Sequence, residues 1–386
     1  MKTRYSAYFL AAAIALMPFS AATATESSTG PDRYFLQNTK TFWKNAFQAR
    51  QVFEDGFTAN LSDFQLTLAK LAGMKPVQVK RFSILQEEAT TPEPSPTPVS
   101  PQGWGVVTVL PNGSTDNGEG MTIAVLDTGI DREHPDLSER IGGCVDYAGT
   151  ESKTEDFCAD ENGHGTHVAG ILAADGGPDD EGMTGIVPAA TVLAYKVCNA
   201  EGLCFSDDIA VAMRDAVDAG AQIIVLGFGG EEASSFIDAS IGYAQEHEVL
   251  VVAAAGNDGP YEEEVDWPAR DPRVVSVGAV DEDAVPTEFS SRGTNATTEP
   301  FVQDEGDVEF AAPGVNVEST FIDGSYSILS GTSMAAPHVA GLAALLWQAD
   351  DEHPAEATRL VLRELARDIA PPGDDPATGW GMPVLR

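Results

Sequence analysis

Short runs of apolar, mostly β-branched residues recur along the chain and alternate with segments that have helical spacing. Each run is apolar at successive positions, so both faces of the strand that it predicts would be buried, as in a parallel sheet covered by helices. The runs lie at residues 123–126, 192–197, 223–226, 249–253 and 274–277. Ser206 is the predicted cap of one intervening helix. Residues 102–386 are therefore predicted to form an α/β domain, with a mostly parallel sheet and helices on both faces.

Residues 25–88 follow a different pattern, in which short strands alternate with amphipathic helices. Three strands are predicted, at residues 33–36, 57–61 and 77–84. Ser62 and Gln65 have the spacing of a capping box at the start of a helix. The pattern predicts a small α+β unit, which is marginally stable alone because it buries little surface. Residues 89–101 contain five prolines and predict an extended linker between two domains.

Residues 1–24 have the three parts of a secretory signal peptide. Lys2 and Arg4 give a positive start, residues 7–19 form a short apolar run, and residues 22–24 have the small-x-small pattern of a cleavage site. The run is shorter than the roughly 20 residues of a membrane-spanning helix. We therefore expect a secreted protein, extracellular or periplasmic, that has no membrane segment after removal of the signal.

An exported protein folds in an oxidising compartment, where an even number of cysteines favours disulfide bonds. The chain has 4 cysteines, and four cysteines allow three connectivities. We predict the bonds Cys144–Cys158 and Cys198–Cys204, because the members of each pair are close in sequence. Zinc binding is the weaker interpretation, because neither pair has the two-residue spacing of a zinc knuckle.

The charge of the chain disfavours two classes of function. With 22 Lys and Arg against 60 Asp and Glu, the formal net charge is -38. A surface of that sign repels nucleic-acid phosphates and anionic lipid headgroups. From Pro101 onward the only lysines are Lys153 and Lys196. This acidity suits a protein that works outside the cell, where salt screens the repulsion between carboxylates.

Four polar side chains stand where a predicted strand ends or a predicted helix begins. Asp127 and Asn257 follow buried strands, at the edge where open α/β sheets place their ligands. His164 and Ser333 each begin a helix, and Pro337 is predicted in the first turn of the second one. A carboxylate, an amide, an imidazole and a hydroxyl are the groups needed for acyl transfer by a serine nucleophile.

Each of these residues, considered alone, could equally be a cap or a turn residue. His164 and His167 are also three residues apart on a predicted helix, which leaves a metallohydrolase as an alternative, although no Glu-containing zinc motif accompanies them. Considered together, four such side chains at strand ends and helix starts favour catalysis over four separate structural roles.

Long motifs surround the four residues. They are AVLDTGID at 124–131, GHGTHVAG at 163–170, VAAAGNDG at 252–259 and GTSMAAPHVAG at 331–341. On these motifs, residues 103–380 resemble the subtilisin-like serine proteases, and the order Asp, His, Ser is the order found in subtilisin. The N-terminal unit is similar to a short form of the family's propeptide, which assists folding and then blocks the cleft. The resemblance implies a secreted endopeptidase that removes its own N-terminal segment.

The resemblance also implies a role for each residue. Ser333 would attack the peptide carbonyl, His164 would take its proton, and Asp127 would hold the imidazole. Asn257 and the Ser333 amide would stabilise the oxyanion.

Substrate is expected to pair as an extended strand with residues 226–230. The family usually reads Ser-Leu-Gly-Gly where this chain has Gly227, Phe228, Gly229 and Gly230. We expect Phe228 to reshape a subsite and Gly227 to loosen the edge.

Asp266 stands before the pair Trp267-Pro268. The resemblance implies that this position, which is glycine in many relatives, lies at the floor of the pocket for the side chain preceding the cut. A carboxylate in that pocket would favour Lys or Arg, because an unpaired buried charge is costly. The alternative is that this loop is shifted, that Asp266 points to solvent or to a cation, and that large apolar side chains are preferred.

No cofactor is expected for catalysis, but similar proteases often bind structural calcium. The acidic segments 175–181 and 262–264 are candidate sites, although a solvated acidic surface is the favoured interpretation. The expected partners are protein or peptide substrates and the chain's own N-terminal segment as an intramolecular inhibitor, and we expect a monomer. The alternative function is an inactive binding protein on the same fold, which the complete set of four residues disfavours.

Overall fold

The computed structural model describes residues 32–87, 93–260, 265–295, 303–369 and 372–386. Contacts divide the chain into two units, Met1–Val79 and Lys80–Arg386. The predicted signal peptide lies outside the described residues. Within the described residues, no helix has the length and apolar character needed to cross a membrane.

In its described residues, 32–79, the smaller unit has a three-stranded antiparallel sheet and two helices. Its elements are β1 (Arg33–Leu36), α1 (Thr41–Ala46), β2 (Phe57–Asn60), α2 (Asp63–Leu71) and β3 (Val77–Gln78), with the strand order β2-β1-β3. The predicted capping box is present at the start of α2, since Ser62 Oγ accepts from Gln65 N and Gln65 Oε1 accepts from Ser62 N. Leu36, Phe47 and Phe57 are buried in the centre of this unit.

The strand predicted at residues 77–84 is two strands. β3 pairs with β1, whereas β4 (Arg81–Ile84) pairs with strands of the larger unit. The division between the units therefore falls between Val79 and Lys80, before the end of the predicted 25–88 segment.

The larger unit is built on an eight-stranded sheet. The strands that follow β4 in this unit are β5 (Thr122–Asp127), β6 (Ile141–Asp146), β7 (Thr154–Glu155), β8 (Thr191–Lys196), β9 (Leu203–Phe205), β10 (Ile223–Leu226), β11 (Phe228–Gly229), β12 (Leu250–Ala254), β13 (Val275–Val280), β14 (Phe310–Pro313), β15 (Val317–Phe321), β16 (Ser325–Leu329), β17 (Ala366–Arg367) and β18 (Met382–Pro383). The order in the sheet is β14-β13-β12-β10-β5-β8-β6-β7, and only the edge strand β7 is antiparallel to its neighbour. The predicted parallel α/β architecture is confirmed.

Successive side chains of a strand point to opposite sides, so the buried apolar strands make both faces of this sheet apolar. Helices cover both of these faces. The helices are α3 (Trp104–Val109), α4 (His164–Ala173), α5 (Ser206–Asp218), α6 (Ser235–Glu246), α7 (Thr332–Leu345) and α8 (Pro354–Leu365). In β5, Val125 packs in the core cluster that includes α4 and α7, and Leu126 packs in the cluster that includes α5 and α6.

Two local predictions about helix starts are wrong. The N-cap of α5 is Phe205, and Ser206 is the first helical residue without a side-chain capping bond. Pro337 lies beyond the first turn of α7, because that helix already begins at Thr332. Both predicted disulfides, Cys144–Cys158 and Cys198–Cys204, are present.

Candidate active site

Asp127 and His164 face each other where β5 ends and α4 begins. The His164 Nδ1 atom lies 2.7 Å from Asp127 Oδ1, and both side chains are buried. Thr128 N donates to the same carboxylate oxygen at 2.7 Å, which fixes the rotamer of Asp127. The imidazole therefore presents Nε2 on its other side, and this atom is buried without a hydrogen-bond partner among the described residues.

Ser333 is the second residue of α7, and its hydroxyl lies against two backbone carbonyls. The Oγ atom is 2.8 Å from the carbonyl oxygen of Leu85 and 2.7 Å from that of Gly227. In the described part of the chain Ser333 makes no hydrogen bond to His164, a contact that is often loose before the reacting complex forms. The start of α7 aims the positive end of the helix dipole at the Leu85 carbonyl.

Asn257 follows β12 and is oriented by Thr332. Its Oδ1 accepts from Thr332 N at 3.0 Å and from Thr332 Oγ1 at 2.9 Å. With the oxygen occupied, Nδ2 is the donor that remains, and it is buried without a partner in the described structure. A buried unpaired donor close to a serine hydroxyl at a helix start can stabilise an oxyanion.

Asp160 is a site residue that the sequence reasoning missed. Its Oδ1 accepts from Thr128 Oγ1 at 2.9 Å, from Asn162 N at 3.0 Å and from Gly163 N at 2.9 Å. Its Oδ2 accepts from Thr166 N at 3.0 Å and from Thr166 Oγ1 at 2.7 Å. One carboxylate thus joins the end of the strand that carries Asp127 to the helix start that carries His164. An Asp placed just before a helix, with room for an Asx turn, was the available signal.

A strand of the chain itself fills the cleft in front of Ser333. β4 lies between β11 and β9 and is antiparallel to both. Beyond β4, Leu85 N donates to Gly227 O at 3.1 Å and Glu87 N donates to Ser330 O at 2.8 Å. The peptide bond between Leu85 and Gln86 therefore has backbone hydrogen bonds on both sides.

The predicted substrate-binding edge contributes to this pairing. Phe228 pairs with Ile84 and Gly229 with Ser83. The Phe228 ring is fully buried and meets the Phe82 ring edge to face, with 6.3 Å between centroids.

Gly230 continues this edge on its other side. It exchanges backbone hydrogen bonds with Trp267, at 3.0 and 2.9 Å. This exchange links the strand that pairs with β4 to the loop that carries Asp266.

Gly227 permits close packing at this edge. A Cβ atom there would lie 2.5 Å from Asp127 Oδ2 and 3.0 Å from His164 Cε1. A side chain at this position would force the carboxylate or the imidazole to move. The glycine therefore brings the edge backbone against the Asp127 and His164 pair.

Asp266 is buried, with 6% of its surface exposed. Its carboxylate packs against two glycine backbones, since a Cβ at Gly229 would lie 2.5 Å from Asp266 Oδ2 and one at Gly256 would lie 3.2 Å from it. The side chain is therefore directed between the strand that pairs with β4 and the segment that leads to Asn257.

The structure does not bring His164 and His167 together as metal ligands. His167 Nε2 lies 3.0 Å from Val317 O and 3.2 Å from Ser327 O, so this nitrogen carries the proton. Burial lowers the pKa of His167 to about 3. His164 points its Nδ1 at Asp127 instead.

Two carboxylates of the acidic segment 175–181 are engaged within the protein. Asp175 forms an ion pair with Arg140 at 2.9 Å, and Asp179 accepts from Glu181 N at 3.3 Å. Among the described residues, no group of three or more His, Cys, Asp or Glu side chains could hold a metal ion. The other acidic segment, 262–264, lies outside the described residues.

Comparisons with known proteins identify the family. Residues 118–381 match the model of the subtilase family, Peptidase_S8. The chain is 33% identical to a subtilisin of Bacillus sp. (strain TA39) over 96% of both proteins, and 37% identical to Subtilisin Savinase of Lederbergia lenta over 64% of this chain and 84% of that protein. Among solved structures it resembles Sphericase, with a TM-score of 0.71 and 39% identity over 75% of this chain and 99% of that one. The chain therefore belongs to the subtilase family, and it is a serine-type endopeptidase.

Proposed function

We propose that this chain is an exported endopeptidase that cuts peptide bonds with Asp127, His164 and Ser333 and that first cuts itself between Leu85 and Gln86. One observation carries the second part. The chain's own strand lies antiparallel in the cleft, with the Leu85 carbonyl oxygen 2.8 Å from the Ser333 hydroxyl.

The first half of the reaction forms an acyl-enzyme. Ser333 Oγ attacks the Leu85 carbonyl carbon while His164 Nε2 takes the hydroxyl proton, and Asp127 stabilises the imidazolium through Nδ1. The oxyanion on Leu85 receives hydrogen bonds from Asn257 Nδ2 and the Ser333 amide. His164 then gives its proton to the nitrogen of Gln86, and this nitrogen leaves as a new amino terminus.

The second half uses water. A water molecule gives a proton to His164 Nε2 and attacks the Leu85 ester carbon. His164 then returns this proton to Ser333 Oγ as the ester bond breaks, which releases the Leu85 carboxylate and restores the Ser333 hydroxyl. The cleaved strand keeps the backbone hydrogen bonds of β4 to β11 and β9, because they do not depend on the broken bond. It therefore acts as an inhibitor until it dissociates or is degraded.

Export and maturation fit together. Residues 1–24 direct secretion, and the two disulfides suit an oxidising compartment. We propose that the mature enzyme is a monomer that acts on other proteins and peptides outside the cell.

The side chain before the cut determines part of the specificity. We propose that the buried carboxylate of Asp266 favours Lys or Arg at that position in external substrates. Leu85 occupies the position in the chain's own strand, where the high effective concentration of an attached substrate compensates for a weaker side-chain contact.

Expression of the wild type and of Ser333→Ala, followed by mass spectrometry of the N-terminal fragment, tests this function. The wild type is expected to release a fragment that ends at Leu85, and Ser333→Ala is expected to keep this bond intact. A fluorophosphonate should label the wild type only.

Ser330→Ala is the matched control, because it removes a hydroxyl three positions away that accepts from Asn316 N. This variant should still process itself. Cleavage after Leu85 in Ser333→Ala, at the wild-type rate and in a protease-free host, would refute self-cleavage.

A further inference from the structure

The cleft has a second edge, and a disulfide closes the loop that forms it. The backbone of β9 pairs with β4 on the side opposite β11, with Phe82 opposite Cys204 and Ser83 opposite Leu203. Ile84 N also donates to Gly202 O at 3.0 Å. An extended substrate bound in the same way would therefore be held between two strands.

This second edge lies outside the eight-stranded sheet. It is part of the loop that runs from Cys198 to Cys204, whose own backbone bonds join Asn199 N to Leu203 O at 3.0 Å and Gly202 N to Asn199 O at 2.9 Å. The two cysteines face each other in an antiparallel bridge and are fully buried. The disulfide fixes the ends of the loop covalently, at a sequence separation of 6.

The same disulfide is hydrogen-bonded to the end of the strand that carries the Asp127 carboxylate. Cys198 N donates to the carbonyl oxygen of Asp127 at 3.1 Å, and Val197 N donates to it at 2.9 Å. Cys204 is two residues from Gly202 and lies opposite Phe82. The disulfide and the hydrogen bond from Cys198 N therefore connect the substrate-pairing edge to the backbone of Asp127.

We propose that the disulfide Cys198–Cys204 is a positioning element that makes this enzyme dependent on extended substrates. It holds β9 in the register that pairs with substrate residues two to five positions before the cut, which are Ile84, Ser83, Phe82 and Arg81 in the chain's own strand. A loop that is already ordered loses less conformational entropy when substrate binds, so the pairing contributes more to affinity. This inference rests on the proposed function, because it assumes that external substrates bind as β4 does.

The test compares two substrates on two pairs of variants. The substrates are acetyl-Ile-Leu-p-nitroanilide and acetyl-Arg-Phe-Ser-Ile-Leu-p-nitroanilide, and the enzyme is the secreted, self-processed protein. Cys198→Ala with Cys204→Ala removes the disulfide at the edge. Cys144→Ala with Cys158→Ala is the matched control, because it removes a disulfide whose cysteines do not pair with β4.

We expect loss of the bond at Cys198 to raise KM for the longer substrate roughly 10-fold and to change the shorter substrate's kcat/KM by less than about 2-fold. The control pair should leave the ratio of kcat/KM between the two substrates unchanged. An unchanged ratio in the Cys198 and Cys204 variant, or an equal change in the control, would overturn the proposal.

A folding defect is separated from this outcome in two ways. The concentration of active sites is titrated with a fluorophosphonate, so only folded enzyme is counted. Cys198→Val with Cys204→Val keeps apolar volume at both positions and repeats the comparison. If neither pair folds while the control pair does, the bond has only a structural role and the proposal is wrong. A wild type that cuts neither substrate and is not labelled would instead refute the proposed function.

Discussion

Asp160→Ala removes the carboxylate that joins the strand end of Asp127 to the helix start of His164. The five hydrogen bonds that it accepts come from Thr128, Asn162, Gly163 and Thr166. Asp160 does not itself contact the Leu85 carbonyl or Ser333 in the described structure. We therefore expect a positioning defect, in which the imidazole is held less accurately between Asp127 and Ser333.

The size of the effect follows from the partners. A hydrogen bond to a charged group contributes about 1.5–3 kcal/mol, but Asp160 is half-buried and part of its donor set can turn to water. We expect a net loss of about 3 kcal/mol of folding free energy, which corresponds to one or two of the five bonds. If part of this free energy is also lost from the transition state, because the imidazole is misaligned, kcat falls by about 10- to 100-fold.

The assay measures kcat and KM on active-site-titrated enzyme, together with the pH profile of kcat/KM. A positioning role predicts a lower kcat, a KM within about 2-fold of wild type and a shifted acid limb of the pH profile, which is the limb that follows deprotonation of the His164 imidazole. Asp160→Asn keeps the Oδ1 acceptor and should recover about half of the loss on a logarithmic scale. A kcat within 2-fold of wild type in Asp160→Ala would refute this reasoning, as would a loss of melting temperature with normal kinetics.

Three further predictions concern other residues. Asn257→Ala should lower kcat by roughly 100- to 1000-fold with little change in KM, the usual effect of removing one oxyanion donor, and steady-state kinetics will measure it. Asp266→Gly should lower the ratio of kcat/KM for Arg over Leu before the cut by about 10-fold, because it removes the carboxylate that a basic side chain would pair with; an unchanged ratio would exclude a selective role. Burial lowers the pKa of His167 to about 3 and that of His338 to about 4, so below pH 6.5 the unfolded chain binds protons that the folded chain does not. Stability should therefore fall as the pH drops from 6.5 towards 4, and an equal melting temperature at pH 7 and pH 5 in 1 M salt would contradict this.

Prediction from the sequence succeeded where the determining contacts are local or where the pattern of apolar residues is clear. β10 has the predicted bounds, Ile223–Leu226, because a run that is apolar at every position can be buried only as a covered strand. The capping box at Ser62 and Gln65 depends on residues three apart. Both disulfides join cysteines that are close in sequence, at separations of 14 and 6.

The parts that were missed depend on residues that are distant in sequence. The segment around Ser83 reads as the end of the N-terminal unit, but its partners are Leu203 and Gly229, more than a hundred positions away. Similarly, Asp160 has a readable local turn to Asn162, while its bond to Thr128 depends on how β5 meets α4. Pairing across a cleft is decided by tertiary structure, so the pattern of residues within one strand does not predict its partners.

The acidic surface leads to a final prediction, that the folded protein needs salt. The two lysines after Pro101 are already engaged, since Lys153 pairs with Glu155 at 2.8 Å and with Asp215 at 2.7 Å, and the buried Lys196 donates to Thr128 O at 2.6 Å. The whole chain has 60 Asp and Glu against 22 Lys and Arg, so its carboxylates far outnumber its basic side chains.

Repulsion between these carboxylates acts over a Debye length of about 30 Å at 0.01 M salt and about 3 Å at 1 M. Screening should therefore raise the melting temperature between those concentrations, by about 2 °C for each kcal/mol of repulsion removed in a domain of this size. Sodium chloride and choline chloride should act alike, because screening depends on ionic strength and not on the identity of the cation. A rise with sodium alone would point to a specific cation site instead, and a flat or falling melting temperature in both salts would show that self-repulsion does not limit the stability of this fold.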